Sequence, residues 1–131
     1  MKNQRLNVLG RKVNSMGLTE FHFDNLKEQQ EFLEGPVNVE ELMNDINLFA
    51  SDDVEATIDT LNVIVSYGRD DYGDDIRQHI FGNCYFATVD ENGKTVELSK
   101  DQVATLIEHS RYGYLKVNNH RIMNIDMSAF I

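Results

Sequence analysis

Asn38-Val39-Glu40-Glu41-Leu42-Met43-Asn44-Asp45-Ile46-Asn47-Leu48-Phe49 is the stretch on which the fold class turns. Val39, Leu42, Met43, Ile46 and Phe49 recur at helical spacing and would share one face. Asn38 is a good N-cap, and Glu41 stands three residues on, where its side chain can reach back to it. The spacing predicts an amphipathic helix, with Glu40, Glu41 and Asp45 opposite its apolar stripe.

Working outward, Leu6, Leu9, Val13 and Met16 also fall on one helical stripe, with Gly17 placed to end it. Leu18–Phe23 follows as a short strand in which Phe21 and Phe23 share a face. Asp24 can cap a helix that runs to about Glu34 and is stopped by Gly35-Pro36. Beyond Phe49, Ser51-Asp52-Asp53 can start another turn, with Glu55 close behind. Val54 to Tyr67 fits either a helix or strands. The Val- and Ile-rich second half favours a short helix followed by a strand over 61–67. Residues 68–75, with two glycines and no apolar period, read as a loop. A brief helix over 76–80 is expected after it.

The last third is better punctuated. Asn83–Val89 and Thr95–Leu98 read as a hairpin through Asn92-Gly93. Ser99 and Gln102 form a capping box for a helix to about Ser110, with Val103, Leu106 and Ile107 as its apolar face. Tyr114–Val117 and Arg121–Ile125 read as a second hairpin turning at Asn118-Asn119. The expectation is an α+β fold, with about four helices packed on one small, mainly antiparallel sheet. A chain of 131 residues is one domain long. Its parts would be a basic first helix over 1–17, an acidic helical body over 18–89, and a hairpin-helix-hairpin over 90–131.

Charge is divided along the chain. Residues 1–17 hold Lys2, Arg5, Arg11 and Lys12 and no acid, whereas residues 18–89 hold sixteen acids against Lys27, Arg69 and Arg77. The whole carries a formal charge of −10. Such a surface repels anionic lipid and bulk nucleic acid and attracts basic partners. Cys84 is the only cysteine, so an intrachain disulfide is excluded and a reducing, cytoplasmic setting is expected. The early cations are not followed by an apolar run, so no secretory signal is read. The apolar stretch around Leu61–Val65 is too short to span a bilayer.

Few residues suggest chemistry. Asp70, Asp71, Asp74 and Asp75 put four carboxylates within six residues, but the EF-hand pattern fails, since Tyr72, Asp75 and Phe81 occupy its third, sixth and twelfth positions. A solvated acidic loop is favoured over a site for Ca²⁺ or Mg²⁺, and an acidic contact surface is the third reading. Cys84 with one of His22, His79, His109 or His120 could make a thiol enzyme, though a cysteine in the strand Cys84-Tyr85-Phe86 also reads as a small core residue. No serine elbow and no phosphate-cradling glycine loop is present. The four histidines lie far apart in sequence. No cofactor and no metal site are expected.

Tyr114-Leu115-Lys116-Val117-Asn118-Asn119-His120-Arg121-Ile122-Met123-Asn124-Ile125-Asp126 resembles the signature stretch of LytTR-type DNA-binding domains. That signature runs aromatic, apolar, basic, apolar, four mostly polar residues, two apolar residues, Asn, apolar. The resemblance implies a small β-rich module that reads DNA through basic loops, with Lys116 and Arg121 as its contacts. The same residues also read as a generic hairpin.

The leading expectation is a small non-enzymatic interaction protein that docks its acids on a basic site of a partner. Carboxylates in a row can imitate phosphates, so a nucleic-acid-handling protein is the expected partner, to be inhibited or regulated. By compositional analogy, phages and mobile elements encode such proteins. The contact residues would be Glu40, Glu41, Asp45, Asp52, Asp53, Glu55, Asp70, Asp71, Asp74 and Asp75. The alternatives are a LytTR-like DNA-binding regulator and a thiol enzyme at Cys84. A homodimer, with the basic segment of one copy on the acidic body of another, is a further partner reading.

Overall fold

Asn44 and Asp45 both take left-handed backbone, with φ of 52° and 59°. Ile46 N–H donates to Met43 C=O at 2.9 Å, and Leu42 N–H to Ile46 C=O at 2.8 Å. Two consecutive left-handed residues closed by these bonds make the tight turn that matches strand twist. Asn and Asp are among the few non-glycine residues that tolerate this backbone. The predicted helix over 38–49 is therefore a hairpin, of β3 (Asn38–Glu41) and β4 (Asn47–Ala50). Helical spacing was satisfied by chance: Val39, assigned to the buried stripe, is 51% exposed, whereas Ile46 to Ala50 are buried without interruption.

The computed structural model describes residues 5–130. Its other strands are β1 (Leu6–Arg11), β2 (Thr19–Phe23), β5 (Leu61–Arg69), β6 (Asp75–Phe81), β7 (Cys84–Val89), β8 (Thr95–Val96), β9 (Ser110–Leu115) and β10 (His120–Asp126). The helices are α1 (Leu26–Leu33) and α2 (Lys100–Glu108), with a short 3-10 turn over Ser128–Phe130. One sheet runs β2-β1-β7-β4-β3, with β8 added beside β7; the other runs β6-β5-β10-β9. All pairings are antiparallel except β5 with β10. The expectation of about four helices on one sheet is thus overturned: the described residues hold two α-helices and two sheets.

Three further elements correct the sequence reading. The predicted basic helix over 1–17 is strand β1 followed by turns over 12–17, and Lys2 lies outside the described residues. Leu6 and Val8 alternate onto one face beside β2, which a helical reading of Leu6 and Leu9 conceals. The short helix expected from Val54 is a turn closed by Thr57 and Thr60, whose hydroxyls lie 3.1 Å apart. The brief helix over 76–80 is strand β6, held in register by β5. Only α1 remains of the acidic helical body.

The inner faces of the two sheets meet in one core. Leu48, Val63, Val65, Phe86, Met123 and Ile125 fill it, and Leu106 of α2 closes one end. The other face of the first sheet is covered by α1 through an aromatic cluster. The rings of Phe49 and Tyr85 stack at 4.8 Å, and Phe23 and Phe32 pack at 5.3 Å. The Tyr85 hydroxyl donates to Gln29 Oε1 at 2.8 Å, which satisfies the one polar atom that this side chain buries. Both helices start as their sequences dictate. Asn25, rather than Asp24, caps α1, and Ser99 with Gln102 makes the expected box on α2. Ile107, assigned to the α2 core face, is 57% exposed.

Candidate functional site

All ten acids singled out from the sequence are exposed. The fold divides them into two groups. Glu40 and Glu41 lie on β3, an edge strand with β4 on one side only. Asp45 sits in the turn at one end of it. Asp52 and Asp53 follow β4 at the other end, where Asn38 of β3 faces Ala50. Glu55 continues that loop. These six carboxylates border one hairpin, and Glu40, Glu41 and Asp45 lie on it rather than on the helix face expected of them.

Asp70, Asp71, Asp74 and Asp75 belong to the β5–β6 hairpin of the other sheet, and their charges are partly committed. Asp70 Oδ1 accepts the N–H groups of Tyr72 and Asp74, both at 2.9 Å, which shapes the turn. Asp75 is paired with Arg69 at 3.5 Å and with Arg77 at 3.0 Å. A carboxylate between two guanidinium groups offers little attraction to a third cation. Asp71 and Asp74 remain as the outward charges of this loop. Among the described residues no group of His, Cys, Asp and Glu is placed to hold a metal ion.

The two hairpins come near each other through Tyr67. Its side chain packs against the core, its hydroxyl donates to Gln78 Oε1 at 2.9 Å, and its pKa is raised by burial and by the charge of Glu40. Glu40 therefore lies close enough to β5 for its field to be felt there.

Cys84 is fully buried in β7, and burial pushes its thiol up to about 12 despite the nearby Arg11 charge. A thiol that stays protonated and out of solvent is a poor nucleophile. Its polar neighbour is Asn62, whose Nδ2 lies 3.7 Å from Sγ. His120 is also buried, with Nε2 2.7 Å from Leu61 C=O, as a core histidine should be.

Lys116 and Arg121 flank the β9–β10 turn, and both are exposed. The expected hairpin is present, with Leu115 opposite His120 and Tyr114 opposite Arg121.

Sequence reasoning missed the burial of Arg11. This residue ends β1 opposite Cys84 and is only 1% exposed. No pattern in the sequence separates it from Lys12, which is solvated. A concavity of about 1150 Å³ was missed as well; Asn7, Glu20, His22, Leu98 and Lys100 are among its walls. It opens where the first half of β1 leaves β7, which pairs with β1 only at Leu9–Arg11.

Among the described residues no helix is long and apolar enough to cross a membrane. Comparison of the chain with family models, curated proteins and solved structures gave no match.

Proposed function

We propose that this chain is a non-enzymatic interaction protein whose acidic edge strand, β3, receives a basic, extended segment of a partner protein. One observation carries the reading: β3 is exposed at all four residues and has an open side. The bond from Leu42 to Ile46 sets the alternation of the ladder, so the N–H and C=O groups of Val39 and Glu41 point away from β4. A strand added there would satisfy them. Glu40 and Glu41, with Asp45 at one end and Asp52 and Asp53 at the other, select for Lys and Arg in that strand. The attraction is long-range and weakens with salt. Nucleic-acid-handling proteins carry such basic segments on their working surfaces. Holding one of them occupied would inhibit or regulate its owner.

The test is affinity capture from cell lysate at low and then high salt, with three baits. Wild type should retain a basic protein at low salt and release it at high salt. Glu40→Lys with Glu41→Lys should not retain it. Val39→Pro removes an outward N–H without touching the β3–β4 ladder, so it should fold normally and also lose the partner. Retention of the same protein by the Lys variant would end the electrostatic reading. Retention by Val39→Pro alone would end strand addition and leave docking by charge.

A further inference from the structure

Arg11 is an unusual place to find a charge. Its side chain is 1% exposed, yet neither Nε nor Nη2 has an acceptor among the described residues. The third nitrogen, Nη1, reaches Gly17 C=O at 3.5 Å, the outer limit of a hydrogen bond. The guanidinium carbon lies 5.8 Å from the centroid of the Tyr112 ring. Burial lowers the Arg11 pKa, and the groups whose fields act against that are Cys84 and Tyr112. Asp75, the carboxylate that pairs with both Arg69 and Arg77 on the surface, has no counterpart here among the described residues. A buried guanidinium with open donors is an unfinished site.

The segment that covers Arg11 is lightly tied. Residues 12–18 link β1 to β2 within the first sheet and touch the second sheet at Arg121. Their anchors are Val13 N–H on Asn83 Oδ1 at 3.0 Å and Asn14 Oδ1 on Arg121 N–H at 2.8 Å. Beyond Asn14 the chain is looser: Met16 is 80% exposed, and no atom lies within 4 Å of a Cβ built on Gly17. A pocket of about 210 Å³ has Ser15, Met16, Tyr112, Tyr114 and Arg121 among its walls; Arg11 does not line it, so a ligand there meets Arg11 only when residues 15–17 move aside. Tyr112 is common to both: it forms a wall of the pocket and carries Arg11 against its ring.

The geometry points to an oxyanion-binding site, in which Arg11 is the deep anchor and Arg121 the cation at the mouth. The ligand is a phosphate or carboxylate group on a small molecule. It would displace the weak Gly17 contact and accept from Arg11 Nε and Nη2, the paired donors that match two oxygens of either group. Ser15 offers a further donor beside Arg121. The net charge of −10 opposes anions in general, so affinity here depends on local fit. This site is separate from the β3 edge, and its success or failure leaves the partner reading untouched.

The experiment is NMR titration of ¹⁵N-labelled protein with inorganic phosphate and, separately, with acetate, at constant ionic strength held by chloride. The Arg11 Nε–H signal should shift along a saturable curve shared with the amides of Gly17 and Tyr112. The tighter of the two anions assigns the ligand group. Arg11→Lys keeps the charge but loses the fork, and should weaken binding at least about tenfold. Arg121→Gln sits at the surface, leaves the fold intact and should weaken it by a smaller factor. The proposal is overturned if neither anion moves the Arg11 signal, if only Arg121 responds, or if Arg11→Lys binds as wild type does. Should Arg11→Lys fail to fold, the wild-type curve and Arg121→Gln still decide the matter.

Discussion

Two parts of this molecule hold polar groups under opposite conditions. The periphery carries the exposed carboxylates of β3 and of the β5–β6 hairpin. The interior carries a small polar knot, where Asn62, Cys84 and Arg11 meet and none is more than 1% exposed. The periphery has most of the charge and little of the energy, because exposed pairs contribute only about 0–1 kcal/mol. In the knot each unmet donor or acceptor costs about 1–3 kcal/mol. Net charge thus decides which partners approach, whereas three buried residues decide how firmly two sheets are joined. Asn62 makes this explicit: its Nδ2 bonds Arg11 C=O at 2.8 Å and Gly82 C=O at 2.9 Å, linking β1, β5 and the β6–β7 turn. Gly82 itself cannot be larger, with φ of 86° and Val54 Cγ2 2.7 Å from where a Cβ would stand.

The sharpest way to separate the two regions is alkaline unfolding. The Cys84 thiol is raised from 9.0 to about 12 in the folded state. A raised folded pKa means that its contribution is fully present below pH 9 and is lost as pH climbs from 9 through 12. That loss is on the order of 4 kcal/mol at the top of the range. Urea unfolding of wild type and Cys84→Val across pH 8–12 should show the variant lacking this part of the decline. Equal slopes would mean that the thiol is not sealed from water.

Next in size is Asn62→Ala, which strands two carbonyls at pH 7 and should cost about 2–4 kcal/mol. The urea midpoint measures it, and a loss under 1 kcal/mol would show water reaching the knot. At the small end lies Asp75→Asn, which takes the carboxylate from between Arg69 and Arg77. Its effect should stay under about 1 kcal/mol and vanish in high salt. A cost as large as that of Asn62→Ala would erase the distinction between rim and interior.

Legibility followed the same line. Elements announced by local chemistry stood in the sequence: the Ser99 capping box, the Asn92-Gly93 turn, the Gly35-Pro36 stop, the β-branched run of β5 and the β9–β10 hairpin. Elements that owe their form to neighbours did not. Leu6 to Met16 and Val39 to Phe49 satisfy helical spacing, and only pairing with β2 or the left-handed Asn44-Asp45 pair chooses strand. Asn44-Asp45 was itself a readable turn signal, outweighed by the cap that Asn38 and Glu41 imitate. β6 has Ile76, Gln78 and Ile80 alternating with Arg77, His79 and Phe81, a weak pattern until β5 lies beside it. For the candidate site, the exposure of the acids was legible because charge prefers water. Their grouping along an edge was not, since it depends on which strand ends the sheet. The burial of Arg11 was hidden altogether, because it contradicts the usual preference of the residue type.

The one parallel pairing among the described residues, between β5 and β10, bears on the order in which the chain can assemble. The first sheet has all its strands once residue 96 has left the ribosome. The second cannot close until β10 arrives at residues 120–126. Until then Val63, Val65 and Ile80 lack the neighbours Met123, Ile125 and Met127 that complete the core. Ring closure over that span is slow compared with hairpin formation. The nascent protein is therefore a finished half carrying an unfinished one, and β10 acts as the latch.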